Sequence, residues 1–155
     1  MNDFNNILVV SRSTKQCRKA VHIGISLARL YNAKLHVLHM VHDPFNLDGW
    51  NLPLPSVQEE YLKLMNKYKT QLHKIISEEK GQGIIDISES VVEGDLVDEI
   101  VKVVKSRNVD LLIMLGHAES RIEHFLFGHT NDALLRKMPC SILVVKKEPG
   151  KSEGE

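Results

Sequence analysis

The sequence predicts an α/β fold: a five-stranded parallel sheet with helices on both faces. Two observations predict it. Several short runs are almost continuously apolar and rich in β-branched residues, among them Asn6–Val10 (NILVV), Val109–Leu115 (VDLLIML) and Ser141–Val145 (SILVV). Runs of this kind are strands buried on both faces. Between them lie stretches whose apolar residues recur three and four apart, the spacing of amphipathic helices. Strand and helix alternate along the chain, which places helices as crossovers between parallel neighbours.

Asn6–Val10 is the first strand, followed by the loop Ser11-Arg12-Ser13-Thr14, with Ser13 as the expected helix N-cap. From Lys15 to Tyr31, Ala20, Ile23, Gly24, Leu27, Ala28 and Tyr31 share a helical face, and Arg18, Lys19 and Arg29 lie outside it. Asn32-Ala33 turns into the second strand, Lys34–Val41, where His36 and His39 are three apart and so point to opposite faces. The long loop from His42 to Pro55 carries Phe45, Leu47, Trp50, Leu52 and Leu54. A loop so apolar either folds over its own core edge or is kept for a partner.

Ser56–Lys80 reads as a long helix, opened by a Ser56/Glu59 capping box and ended by Gly81-Gln82-Gly83. Its apolar stripe is Val57, Tyr61, Leu64, Met65, Tyr68, Leu72, Ile75 and Ile76. Ile84–Val92 is the third strand. Asp95 caps the next helix, Leu96–Arg107, with Asp98 and Glu99 at its positive end, and Asn108 closes it. Val109–Leu115 is the fourth strand, Gly128–Lys137 a helix stopped by Pro139, and Ser141–Val145 the fifth strand. Residues 148–155 read as a disordered charged tail, leaving 1–147 as one domain.

Composition narrows the function classes. Formal net charge is +0, so there is no electrostatic footprint for nucleic acid or anionic membrane. No apolar run approaches the roughly 20 residues that span a bilayer. The opening MNDFNNILVV has no basic region or small-residue cleavage site, so a cytoplasmic location is expected. Cys17 and Cys140 form no disulfide framework or zinc pattern and read as packed thiols. His42, His117, His124 and His129 gather at strand ends and loops, but their spacing matches no zinc motif, and no metal site is expected. Ser11, Ser13 and Ser120 lack a nucleophile elbow, so no catalytic residue is assigned. Ligands of doubly wound sheets bind beyond the carboxyl ends of the strands, where the strand order reverses. The loops after the first and fourth strands, Ser11–Ser13 and Gly116–Phe127, are therefore the site candidates.

Gly128–Val145, GHTNDALLRKMPCSILVV, carries a glycine, a helix ending in a basic residue before Pro139-Cys140, and a hydrophobic strand. With the opening NILVV, the run LARLYNAKLHVLHMV and the run VVEGDLVDEIVKVVKSRNVDLLIMLG, it resembles the universal stress protein family over nearly the whole chain. The resemblance implies a Rossmann-like fold of the adenine nucleotide alpha hydrolase type with strand order 3-2-1-4-5. It also implies a homodimer made by pairing the last strands, Ser141–Val145, and an exposed apolar edge strand does invite pairing. It further implies a site for ATP or AMP, with Val10, Ser11, Val41, Gly116, Arg121, Gly128, His129 and Thr130 as the binding residues. Val41 would lie near the base and Arg121 at a phosphate. Glycines there let backbone N–H groups approach phosphates, and a helix N-terminus adds its dipole.

The chain departs from the family's ATP pattern. Gly116 and Gly128 match the first and last glycines, but the loop between them is one residue short. The second glycine falls on Ala118 or Glu119, His129 stands where a hydroxyl residue is expected, and Thr130 comes one residue late. Ser11 stands at the position of an aspartate, and Glu119 and Glu123 bring negative charge near the phosphates. The leading expectation is a cytoplasmic, homodimeric stress-response module, regulatory and non-catalytic, with a degenerate nucleotide site and an unidentified protein partner. The alternative is an ATP- or AMP-binding switch or slow ATPase. A third reading, a flavodoxin-like flavin domain, rests on the loose likeness of Ser11-Arg12-Ser13-Thr14 to a phosphate loop.

Overall fold

The computed structural model describes residues 3–11, 17–41, 55–116, 135–137 and 140–146. In chain order they form β1 (Asn6–Ser11), α1 (Arg18–Tyr31), β2 (Lys34–Val41), α2 (Pro55–Lys80), β3 (Ile87–Glu93), α3 (Leu96–Ser106), β4 (Leu111–Gly116) and β5 (Ser141–Lys146). The strands make one sheet of order β3-β2-β1-β4-β5. All its pairings are parallel, as the sequence predicts.

Alternation along the strands divides the core into two layers. Ile7, Val9, Leu35, Val37, Leu111 and Ile113 face one way and bury Ala20, Val21, Ile25 and Ala28 of α1 with Leu72, Ile75 and Ile76 of α2. Leu8, Val10, Leu38, Met40 and Leu112 face the other way, onto Ile100 and Val104 of α3. At Gly24 a Cβ would lie 2.5 Å from Val9 Cγ2, so α1 sits on β1 with no room for a side chain there. Arg18 reaches Glu78 at 2.7 Å and Glu79 at 3.0 Å, joining α1 to the end of α2. The start of the sheet is pinned by Asp110, whose carboxylate accepts the backbone N–H of Asn5 at 2.8 Å and of Asn6 at 3.2 Å.

Several element boundaries differ from the sequence reading. α1 begins at Arg18, with Cys17 rather than Ser13 in the capping position and no side-chain cap; Ser13 itself lies outside the described residues. Its buried stripe is Ala20, Val21, Gly24, Ile25 and Ala28, a slight rotation from the predicted face that leaves Ile23 and Leu27 half-buried. α2 takes Pro55 as a helical residue, one residue before the predicted start. Proline suits the first turn because its missing N–H has no partner to lose there. β3 starts at Ile87, not Ile84, because its pairing with β2 begins at Leu35↔Ile87 and Ile84 has no strand beside it. Ile84 is fully exposed, at 103%.

Other expectations hold. Asp95 Oδ1 accepts the Asp98 N–H at 3.0 Å, capping α3. Asn108 takes the left-handed conformation, φ 50°, that closes the same helix. Residues 135–137 are helical, inside the predicted last helix. β5, by contrast, departs from the expected strand buried on both faces: it is an edge strand with a neighbour on one side only, and Val144 is 43% exposed. The loop from His42 to residue 54 and the tail 148–155 lie outside the described residues.

Candidate functional site

Because the strands are parallel, their carboxyl ends share one edge of the sheet. β1 is central, with β2 on one side and β4 on the other. The chain winds outward from β1 through β2 to β3, then crosses back to β4. The strand order therefore reverses between the ends of β1 and β4, where a crevice opens in sheets of this kind.

The predicted site residues divide into two groups. Val10, Ser11, Val41 and Gly116 end β1, β2 and β4 on this edge, and the first three are buried, at 4%, 2% and 5% exposure. Arg121, Gly128, His129 and Thr130 lie outside the described residues, as do Ala118, Glu119 and Glu123 of the departing loop and His42, His117 and His124.

Ser11 is the best-defined polar group of the edge. Its register partner is His39 of β2, so hydroxyl and ring stand side by side on the face covered by α1 and α2. Ser11 Oγ and His39 Nδ1 are hydrogen-bonded at 3.2 Å. Cys17, at the start of α1, is hydrogen-bonded to Ser11 as well. The His39 ring lies against Tyr68 of α2, centroids 5.2 Å apart and tilted by 42°. Burial lowers the pKa of His39, so the imidazole is neutral at pH 7. Burial also pushes the Cys17 thiol up, against the hydrogen bond from Ser11. A hydroxyl, a neutral imidazole and a thiol thus form an uncharged cluster under the crevice.

Charge lies to either side of that cluster. Lys19, in the first turn of α1, donates from Nζ to the backbone carbonyl of Lys146 at 3.0 Å, across the end of β5. No acidic residue occupies the first turn of α1. On the other side, the Tyr61 hydroxyl of α2 donates to the Glu93 carboxylate at the end of β3. Among the described residues, Lys19 thus sets a positive charge at the end of β5 and Glu93 a negative one at the end of β3.

His36 and His39 do point to opposite faces. His36 is bonded through Nδ1 to Ser88 Oγ at 2.6 Å and through Nε2 to Ser90 Oγ at 2.9 Å. Arg107, just past α3, also donates to Ser88, at 3.3 Å. Burial and then the Arg107 charge lower the His36 pKa to about 4. Sequence reasoning missed the joining of Cys17 and His39 to Ser11. The alternation of faces was visible, but which residue of β2 stands level with Ser11 is fixed only by the pairing. Among the described residues no cluster of three His, Cys, Asp or Glu side chains is arranged to hold a metal ion. No helix among them is long and apolar enough to cross a membrane.

A sequence profile described as the Universal stress protein family matches residues 3–146. A universal stress protein of Methanocaldococcus jannaschii is 24% identical over 151 residues, covering 94% of this chain and 84% of that protein. Among solved structures, universal stress protein UspA from Lactobacillus plantarum superposes with a TM-score of 0.71 at 19% identity, covering 92% of this chain and 97% of that one. A universal stress protein crystallised in complex with cAMP superposes with a TM-score of 0.64 at 22% identity, covering 92% of this chain and 96% of the other.

Proposed function

The chain belongs to the universal stress protein family, and we propose that it is a regulatory, non-catalytic member with an altered adenine nucleotide site. The observation that carries this reading is the buried, uncharged Ser11–His39 pair at the reversal point of the sheet. It offers hydrogen bonds to the nucleoside part of a ligand at the end of β1. Lys19 supplies positive charge on the β4–β5 side, where a phosphate would lie near Gly116. A solved structure of similar fold holds cAMP, a nucleotide with a single phosphate. In the sequence, Ala118 or Glu119 stands at the family's second glycine, His129 stands at its hydroxyl residue, and Glu119 adds an acidic side chain to the loop; such changes disfavour a polyphosphate. The site therefore favours AMP or cAMP over ATP.

Calorimetric titration with ATP, AMP and cAMP tests this. Tighter binding of AMP or cAMP than of ATP is the expected result. Micromolar ATP affinity with weaker AMP binding points instead to a nucleotide switch or slow ATPase. No heat with any of the three overturns the nucleotide part of the proposal and leaves a nucleotide-free interaction module.

A homodimer through β5 belongs to this proposal. Its support is the exposed Val144 on an edge strand of the sheet. Val144→Lys should shift the molar mass measured by light scattering from two chains toward one. A wild-type monomer at tens of micromolar removes this part of the reading.

A further inference from the structure

The cluster beneath β1 distinguishes between the two ends of a nucleotide. Ser11 has one hydroxyl proton and two lone pairs, and its rotor is free unless a neighbour fixes it. Among the described residues one such neighbour is His39, hydrogen-bonded to Ser11 and held in place by its register with Ser11 on β1 and Val91 on β3 and by the Tyr68 ring of α2. Cys17 bonds the same hydroxyl from α1. A phosphate set on Ser11, Cys17 and His39 would lose water without meeting a counter-charge among these three groups, which is costly. A ribose hydroxyl or a ring nitrogen would only exchange one neutral hydrogen bond for another.

We infer that His39 is a positioning residue of the nucleotide site, orienting the Ser11 hydroxyl toward the nucleoside and not toward the phosphate. The inference rests on the adenine nucleotide reading above. It assigns His39 no contact with the ligand; the residue acts through Ser11.

The experiment titrates AMP and adenosine into the wild-type chain, Ser11→Ala, His39→Leu, His39→Asn and the Ser11→Ala/His39→Leu double variant, each checked for a cooperative thermal transition. Ser11→Ala and His39→Leu should weaken AMP and adenosine by the same factor, about five- to tenfold, the effect of one neutral hydrogen bond. The double variant should be no weaker than either single one, since both remove one unit. His39→Asn, whose amide reaches the Nδ1 position, should recover most of the loss. A loss confined to AMP, or an asparagine variant as weak as the leucine one, overturns the inference. If the wild-type chain binds neither ligand, the nucleotide reading fails, and the orienting role is decided at Cys17. Its alkylation rate, resolved from Cys140 by peptide mass spectrometry, should rise in His39→Leu and return to the wild-type rate in His39→Asn. Equal rates in the two variants overturn it.

Discussion

Replacing Gly24 by alanine sets two effects of opposite sign against each other. In an isolated helix the change gains about 1 kcal/mol, because alanine loses less backbone freedom than glycine. In this protein the new Cβ would lie 2.5 Å from Val9 Cγ2 and 3.3 Å from Leu35 Cδ1. Ordinary carbon contacts lie at roughly 3.5–4.0 Å, so α1 or Val9 must give by about 1 Å. Val9 cannot turn aside. It is β-branched, fully buried and on the central strand, level with Val37 and Ile113. Overpacking of this kind costs about 1–3 kcal/mol. The clash outweighs the propensity gain, and a net destabilisation of about 1 kcal/mol is expected. Gly24→Val should lose more, having a larger side chain and a poorer helix former. Urea denaturation reads the effect as a lower midpoint at constant slope. Because α1 begins beside Cys17, an outward shift of the helix should also speed labelling of that thiol. A Gly24→Ala variant more stable than the wild type would show that α1 is not seated on β1 as described.

Three further outcomes follow from the described contacts. His36 has a folded pKa of about 4 against an ordinary 6.5, so between those values the unfolded chain binds more protons. Its contribution is full above pH 6.5, falls as the pH drops toward 4 and levels off below, for a total of about 3 kcal/mol. Urea midpoints from pH 7.5 to pH 4 should drop less steeply in His36→Gln, although burial of His39 acts in the same direction and leaves some slope. Asp110→Ala leaves the Asn5 and Asn6 N–H groups without their acceptor and should cost about 1–2 kcal/mol, with faster hydrogen exchange at both amides. Asp95→Ala removes the α3 cap and should cost about 1 kcal/mol in the same assay.

The fold was legible wherever a local pattern answers to a local cause. Continuous apolar runs marked β1 and β4 because both are flanked by strands and covered on both faces. Asp95 marked the start of α3 because an N-cap is an interaction within four residues. Ile84 misled, since an apolar pair after Gly83 resembles a strand start. Yet the strand begins only where β2 offers a partner, with the Leu35 N–H donating to the Asp86 carbonyl at 2.9 Å. Ser13 misled in the same way: a good capping residue was present, but the first helical residue is Arg18. At the candidate site, the ends of β1, β2 and β4 were correctly placed on one edge. The link from Ser11 to His39 was not legible, because it depends on register between strands 28 positions apart in the chain.

The two edges of the sheet differ in a way that bears on assembly. β3 displays Ser88, Glu89, Ser90 and Glu93, and its two carboxylates are engaged by His73 and Tyr61 of α2. β5 displays Val144 and little charge apart from its last residue, Lys146. A sheet with one receptive edge has a valence of one. Two such chains joined about a two-fold axis satisfy each other and stop, whereas a fibre needs a second receptive edge to continue. Where β5 pairs with a second copy as proposed, the acidic strand at the far side of the sheet would limit edge-to-edge growth to a pair.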